Sequence, residues 1–181
     1  YMSYDIDMLA ETNDLTREAA IAKLKESYDG YHFSAESPDI FNPYSLLNSF
    51  SKKEFGDYWF GSGTPTYLIN MMRKFNVLPT DIITRIEADA SEFDAPTETM
   101  VSIMPLLYQS GYITIKDYNR DYNYYTLDVP NKEVKVGLTR ALIPAYVTHN
   151  TLATTNTARR IAQALDKQDM NGALELLQTF L

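Results

Sequence analysis

The 181 residues are 45% hydrophobic, enough for one core or two small ones, and carry a net charge of -8 with a pI near 4.7. That acidic balance argues against non-specific attraction to nucleic acid or to an anionic membrane surface. The absence of cysteine excludes disulfides, thiolate metal sites and cysteine nucleophiles, and no apolar run approaches the ~18 residues of a membrane span.

Thr16 reads as an N-cap, with Glu18 in the first turn where the helix dipole favours a negative charge. Ala20, Ile21, Leu24 and Tyr28 then share a face, and Gly30 is a natural stop. Asn42-Pro43 has the form of a cap followed by proline in the first helical turn, with Leu46, Leu47 and Phe50 as the apolar stripe. Thr64-Pro65 repeats that start signal ahead of Leu68, Ile69, Met72 and Phe75. The stretch from Asp81 to Glu98 holds six carboxylates against Arg85 alone and reads as a connector with at most one short element.

Thr97 caps an expected helix through Ser110, bent at Pro105 and ended by Gly111. Strands are expected at 112–116 and 124–128 around a polar turn, with Tyr112, Ile113 and Ile115 opposing Tyr125 and Leu127. Pro130-Asn131 opens a helix through Val134, Leu138 and Leu142, and two short helices, near Ala158 to Leu165 and Gly172 to Leu181, close the chain. The expected fold is mainly α: a helical bundle over 1–96, a winged-helix-like unit with one β-hairpin over 97–150, and a closing helical pair or connector over 151–181.

Several clusters invite a chemical reading. Gly61-Ser-Gly-Thr-Pro-Thr66 is not a phosphate loop: it has no lysine, and Pro65 removes an amide donor. A tight turn into a capped helix accounts for it better. Asp29, His32 and Ser34 have hydrolase residue types, but a triad is defined by geometry and not by closeness in sequence. With only His32 and His149 in the chain, a multi-histidine metal site is unavailable. Tyr28, Tyr31 and Phe33 are expected to pack as anchors beside a left-handed Gly30.

Tyr58, Trp59 and Phe60 could stack bases, but Lys52 and Lys53 are cancelled by Glu54 and Asp57, so core or interdomain packing is the preferred role, with Trp59 largely buried. The expected recognition helix, Thr97 to Ser110, contains Glu98 and no basic residue. DNA contact would therefore have to fall on Lys116, Arg120, Lys132 and Lys135, with Asp117 and Asp121 opposing it. Its apolar Met100, Met104 and Leu107 suit a protein contact better. Arg159-Arg160 with Lys167 is a small basic spot of the kind found on a solvated helix face.

Four blocks stand out in order and spacing: Tyr28-Asp-Gly-Tyr-His-Phe-Ser34, Phe41-Asn-Pro-Tyr-Ser-Leu-Leu47, Tyr58-Trp-Phe-Gly-Ser-Gly-Thr-Pro-Thr66 and Leu106-Leu-Tyr-Gln-Ser-Gly-Tyr-Ile-Thr-Ile115. Together they resemble the region downstream of the nucleotide-binding core in the bacterial AAA-ATPase-like family, whose members continue into a PD-(D/E)XK nuclease-like domain. The resemblance covers roughly Leu15 to Tyr146 and includes neither catalytic signature of that family.

It implies that 1–96 is lid-like and that the chain couples an ATP-binding core to a nuclease-like domain without catalysing a reaction itself. ATP and Mg would belong to the intact protein, with Thr64 as a secondary contact to nucleotide held elsewhere. The implied partners are those two domains, with no membrane contact and no nucleic-acid contact from this segment. A cytoplasmic protein is expected, and Tyr1-Met2 and Phe180-Leu181 read as cuts within a longer chain. The rival reading is a stand-alone adaptor that binds a protein partner through some of its 14 tyrosines.

Overall fold

Two side-chain caps set the first helices. Thr16 Oγ1 accepts from Ala19 N at 3.1 Å ahead of α2 (Arg17–Tyr28). Asn42 Oδ1 accepts from Tyr44 N and Ser45 N ahead of α3 (Pro43–Lys52). α1 (Met2–Thr12) precedes them, with Asp5 in its first turn. The computed structural model describes residues 2–61, 66–146, 151–167 and 169–178.

The next elements are α4 (Tyr58–Gly61), α5 (Thr66–Lys74), α6 (Pro79–Ile83), β1 (Ile86–Ala88) and α7 (Ala90–Phe93). A 3-10 turn over Thr97–Thr99 leads to α8 (Met104–Gln109), β2 (Thr114–Asn119), β3 (Tyr124–Asp128), α9 (Lys132–Tyr146), α10 (Thr151–Asp166) and α11 (Met170–Gln178). The chain is mainly α with one small antiparallel sheet in the order β1-β3-β2.

Three local expectations need correction. The acidic stretch is no plain connector, because α6, β1 and α7 all lie within or across it. Its carboxylates serve as caps: Asp81 accepts from Leu78 N, and Glu92 from Asp89 N. The single bent helix over 97–110 is instead a 3-10 turn, an irregular link and α8, with Pro105 in the first turn of α8 and not at a bend. Strand β2 starts two residues later than expected and runs to Asn119, because a bulge between Ile115 and Asp117 keeps Tyr118 and Asn119 paired with Tyr125 and Tyr124.

The hairpin register sets Ile115 against Leu127, and β1 adds Ile86 to the same row. Ile113, Ile115 and Leu127 then join Leu68 and Met72 of α5 and Val134, Leu138 and Leu142 of α9 in one buried cluster. That cluster draws on both sides of residue 96, and so does the pairing of β1 with β3. Smaller clusters seal the ends: Leu9, Leu24, Tyr28 and Tyr58 at the first helices, and Ala158, Ile161, Leu165 and Ala173 between α10 and α11. Gly137 lets α4 approach α9, since a Cβ there would collide with the Phe60 ring. No helix among the described residues is long and apolar enough to cross a membrane.

Candidate functional site

Thr114 at the start of β2 and Lys116 at its bulge both send their side chains to the loop after α2. Thr114 Oγ1 accepts from His32 N and donates to His32 O, each at 2.8 Å. Lys116 Nζ donates to Gly30 O at 2.6 Å and to Pro130 O at 3.1 Å. Burial lowers the Lys116 pKa, while Asp39, Asp128 and Asp29 act in the opposite sense. Gly30 has φ +97°, and a Cβ there would strike Pro130 O, so the loop can lie this close only with glycine.

The loop then returns as a two-residue bridge, Tyr31 with Ile40, which delivers Asn42 to the start of α3. Behind it Tyr28 is 1% exposed, and its hydroxyl both donates to Gly56 O and accepts from Gly56 N at 3.0 Å. Burial pushes the Tyr31 hydroxyl up to about 12, against a hydrogen bond with Asn42. Neither phenol ionises near neutral pH.

Glu133, in the first turn of α9, is the main buried charge at this junction and only 2% exposed. Its Oε2 accepts from Ser45 Oγ at 2.6 Å and its Oε1 from Trp59 N at 2.8 Å. One carboxylate thereby joins α3, α4 and α9, and burial raises its pKa despite those donors. Trp59, so positioned, meets Phe60 and Tyr112 with ring centroids at 5.1 and 5.2 Å.

These contacts enclose a groove of about 600 Å³. Tyr31, His32 and Phe33 line it from the first sequence block, Phe41 to Pro43 from the second, Trp59 from the third, and Tyr108 to Gly111 with Ile113 and Thr114 from the fourth. Ile40, adjacent to the second block, completes the lining. The groove is thus built almost wholly from blocks that the sequence marks out, although its lining runs from Tyr31 to Thr114 along the chain.

The hydrolase-like set is not assembled. His32 Nε2 meets Asp39 at 2.5 Å, Ser34 is held in a turn by Ser37, and Asp29 Oδ1 is buried with no hydrogen-bond partner among the described residues. Phe33 is not a packed anchor: it lines the groove with 72% of its surface exposed, in the turn that Ser37 closes with Phe33 N and Ser34 N. Trp59 keeps only part of its ring accessible: it packs against the main buried cluster, as expected, and also forms groove wall.

Of the basic residues named as DNA contacts, Arg120 pairs with Glu36, and Lys132 with Asp166 and Glu26, while Lys116 is turned to carbonyls. Thr64 and His149 lie outside the described residues. Glu133, Ser45 and Asp39 carry no sequence signal of their roles. A lone glutamate or serine on an amphipathic helix reads as surface.

Trp59→Ala should cost about 2 kcal/mol, below the ~3–5 of a fully enclosed aromatic, because part of the ring already faces solvent. Urea unfolding followed by far-UV circular dichroism measures this, and a loss above about 4 kcal/mol would mean the groove wall is packed in solution.

Comparison with known proteins gives one informative likeness. The chain is 32% identical over 151 residues to the "Uncharacterized protein in vnfD 5'region" of Azotobacter chroococcum mcd 1, an alignment covering 81% of this chain and 28% of that protein. The chain therefore spans little more than a quarter of the relative's length. No family model matches the chain, and no solved structure matches it significantly.

Proposed function

We propose that this chain is the lid-like and winged-helix-like segment of a longer AAA-ATPase-like protein, in which it couples an ATP-binding core to a nuclease-like domain. The observation that carries the reading is the convergence of all four blocks on one groove. The groove is predominantly apolar, and Thr114, Asn42 and His32 Nε2 among its polar groups are engaged in holding its own walls together. A surface of that kind suits docking of another part of the same protein better than bond-making chemistry. A relative more than three times the length of the matched region is in keeping with such a place in a larger chain.

In this reading ATP and Mg bind the intact protein's core, in the cytoplasm, and the groove receives a surface of that core or of the nuclease-like domain. A second reading, a stand-alone adaptor for a protein partner, is favoured by the exposure of Phe33 (72%), Leu47 (65%) and Tyr44 (50%). A GxxxxGK[ST] loop upstream in the open reading frame decides for the first reading, and its absence for the second.

Isothermal titration of this chain with MgATP should give no micromolar binding. A micromolar dissociation constant would place a nucleotide site inside the segment and overturn the lid-like assignment.

A further inference from the structure

Glu133 also lines a second cleft, of about 280 Å³, between α2, the 55–57 loop, α9 and α10. Three helices each bring cations to it: Lys23 from α2, Lys132 and Arg140 from α9, and Arg159 from α10. Three carboxylates share the lining. Arg140 pairs with Asp57, Lys132 is 2.8 Å from Asp166, and both oxygens of Glu133 are occupied by Ser45 and Trp59.

Lys23 and Arg159 are left over. Lys23 Nζ sits 4.3 Å above the Phe55 ring, and neither cation forms an ion pair among the described residues. The lining thus carries four cations against three carboxylates, a net positive charge in a chain whose own net charge is -8. A concave surface concentrates their field.

We propose that this cleft binds a phosphate-bearing anion between Lys23 and Arg159. The guanidinium offers a planar fork for two phosphate oxygens, and the ammonium a compact point charge in the same cleft. Ser27 and Gln163, also in the lining, supply neutral donors, and the volume admits a pyrophosphate-sized group. Both cations are exposed, so the interaction is salt-sensitive and modest.

The test is calorimetric titration of this chain with pyrophosphate at low ionic strength, beside the double variant Lys23→Gln/Arg159→Gln. Because both residues are exposed, the variant keeps the fold, which circular dichroism verifies. Binding near ~1 mM is expected for the native chain, and at least about tenfold weaker binding for the variant. Added chloride should weaken the native titration in the same direction. No heat from the native chain, or equal affinity in the variant, overturns the site.

A parallel MgATP titration separates the two sources of phosphate. Affinity equal to that for pyrophosphate, lost in the variant, assigns the site to free phosphates. Tighter binding, also lost in the variant, assigns it to a nucleotide. Should that tighter binding reach micromolar, the anion site stands while the lid-like assignment falls, so the two failures are distinguishable.

Discussion

Leu138→Ala should lower the unfolding free energy by about 3–4 kcal/mol, read as a shift of the urea midpoint at unchanged slope. Leu138 is 0% exposed, at the centre of α9, in the cluster that also holds Met72, Leu107, Ile113 and Leu127. Truncation leaves a cavity within that cluster, and its members on the sheet, fixed by ladder bonds, cannot move in to fill it. The same shared core predicts how the loss is expressed.

Trp59 is the single tryptophan and lies before residue 96, whereas far-UV circular dichroism reports on the whole chain. Both probes should give one coincident transition, in native and variant alike. A variant whose tryptophan signal keeps the native midpoint while the dichroism midpoint falls would show that the first helices and the sheet are separately stable.

What could be read from the sequence is what chain-local chemistry determines. Thr16 and Asn42 announce their helices because a capping side chain acts on backbone amides two or three residues away. Strand β3 appears at its expected 124–128 because aromatic and β-branched residues there are bounded by turn residues. Strand β1 could not be read that way. Its three residues gain a partner only when Ile86 meets Leu127, some forty positions later, and their acidic setting suggests a loop.

The groove was half legible. Its four blocks were visible as blocks, but the clamps that bring them together, Thr114 and Lys116 on the loop after α2, depend on a tertiary approach that no local pattern encodes. The exposure of Phe33 escapes a sequence reading for a related reason. Hydrophobicity predicts burial on average, and a groove is the place where that average fails.

Glu133 is the residue whose replacement best separates structure from charge. Glu133→Ala should cost about 3 kcal/mol, because Ser45 Oγ and Trp59 N lose a charged acceptor and stay buried or half-buried without one. Glu133→Gln keeps an acceptor oxygen for Trp59 N and should cost about 1 kcal/mol or less at neutral pH. The two variants also differ from the native chain in pH dependence.

Burial raises the Glu133 pKa above its ordinary 4.5, outweighing the donors from Ser45, Trp59 and Tyr58 that favour the carboxylate. Between 4.5 and the raised value the folded chain therefore holds a proton that the unfolded chain has released. With more protons bound in the folded state, unfolding free energy falls as pH rises. The contribution is fully present below the unfolded value and is lost as pH climbs through the folded one.

The native chain should thus gain on Glu133→Gln as pH is lowered from neutral toward 4.5, whatever the remaining carboxylates do to both proteins alike. Paired urea titrations across that interval give the difference directly. A difference that stays flat, or that turns against the native chain on acidification, would mean the three donors outweigh burial and Glu133 is held as an anion joining α3, α4 and α9.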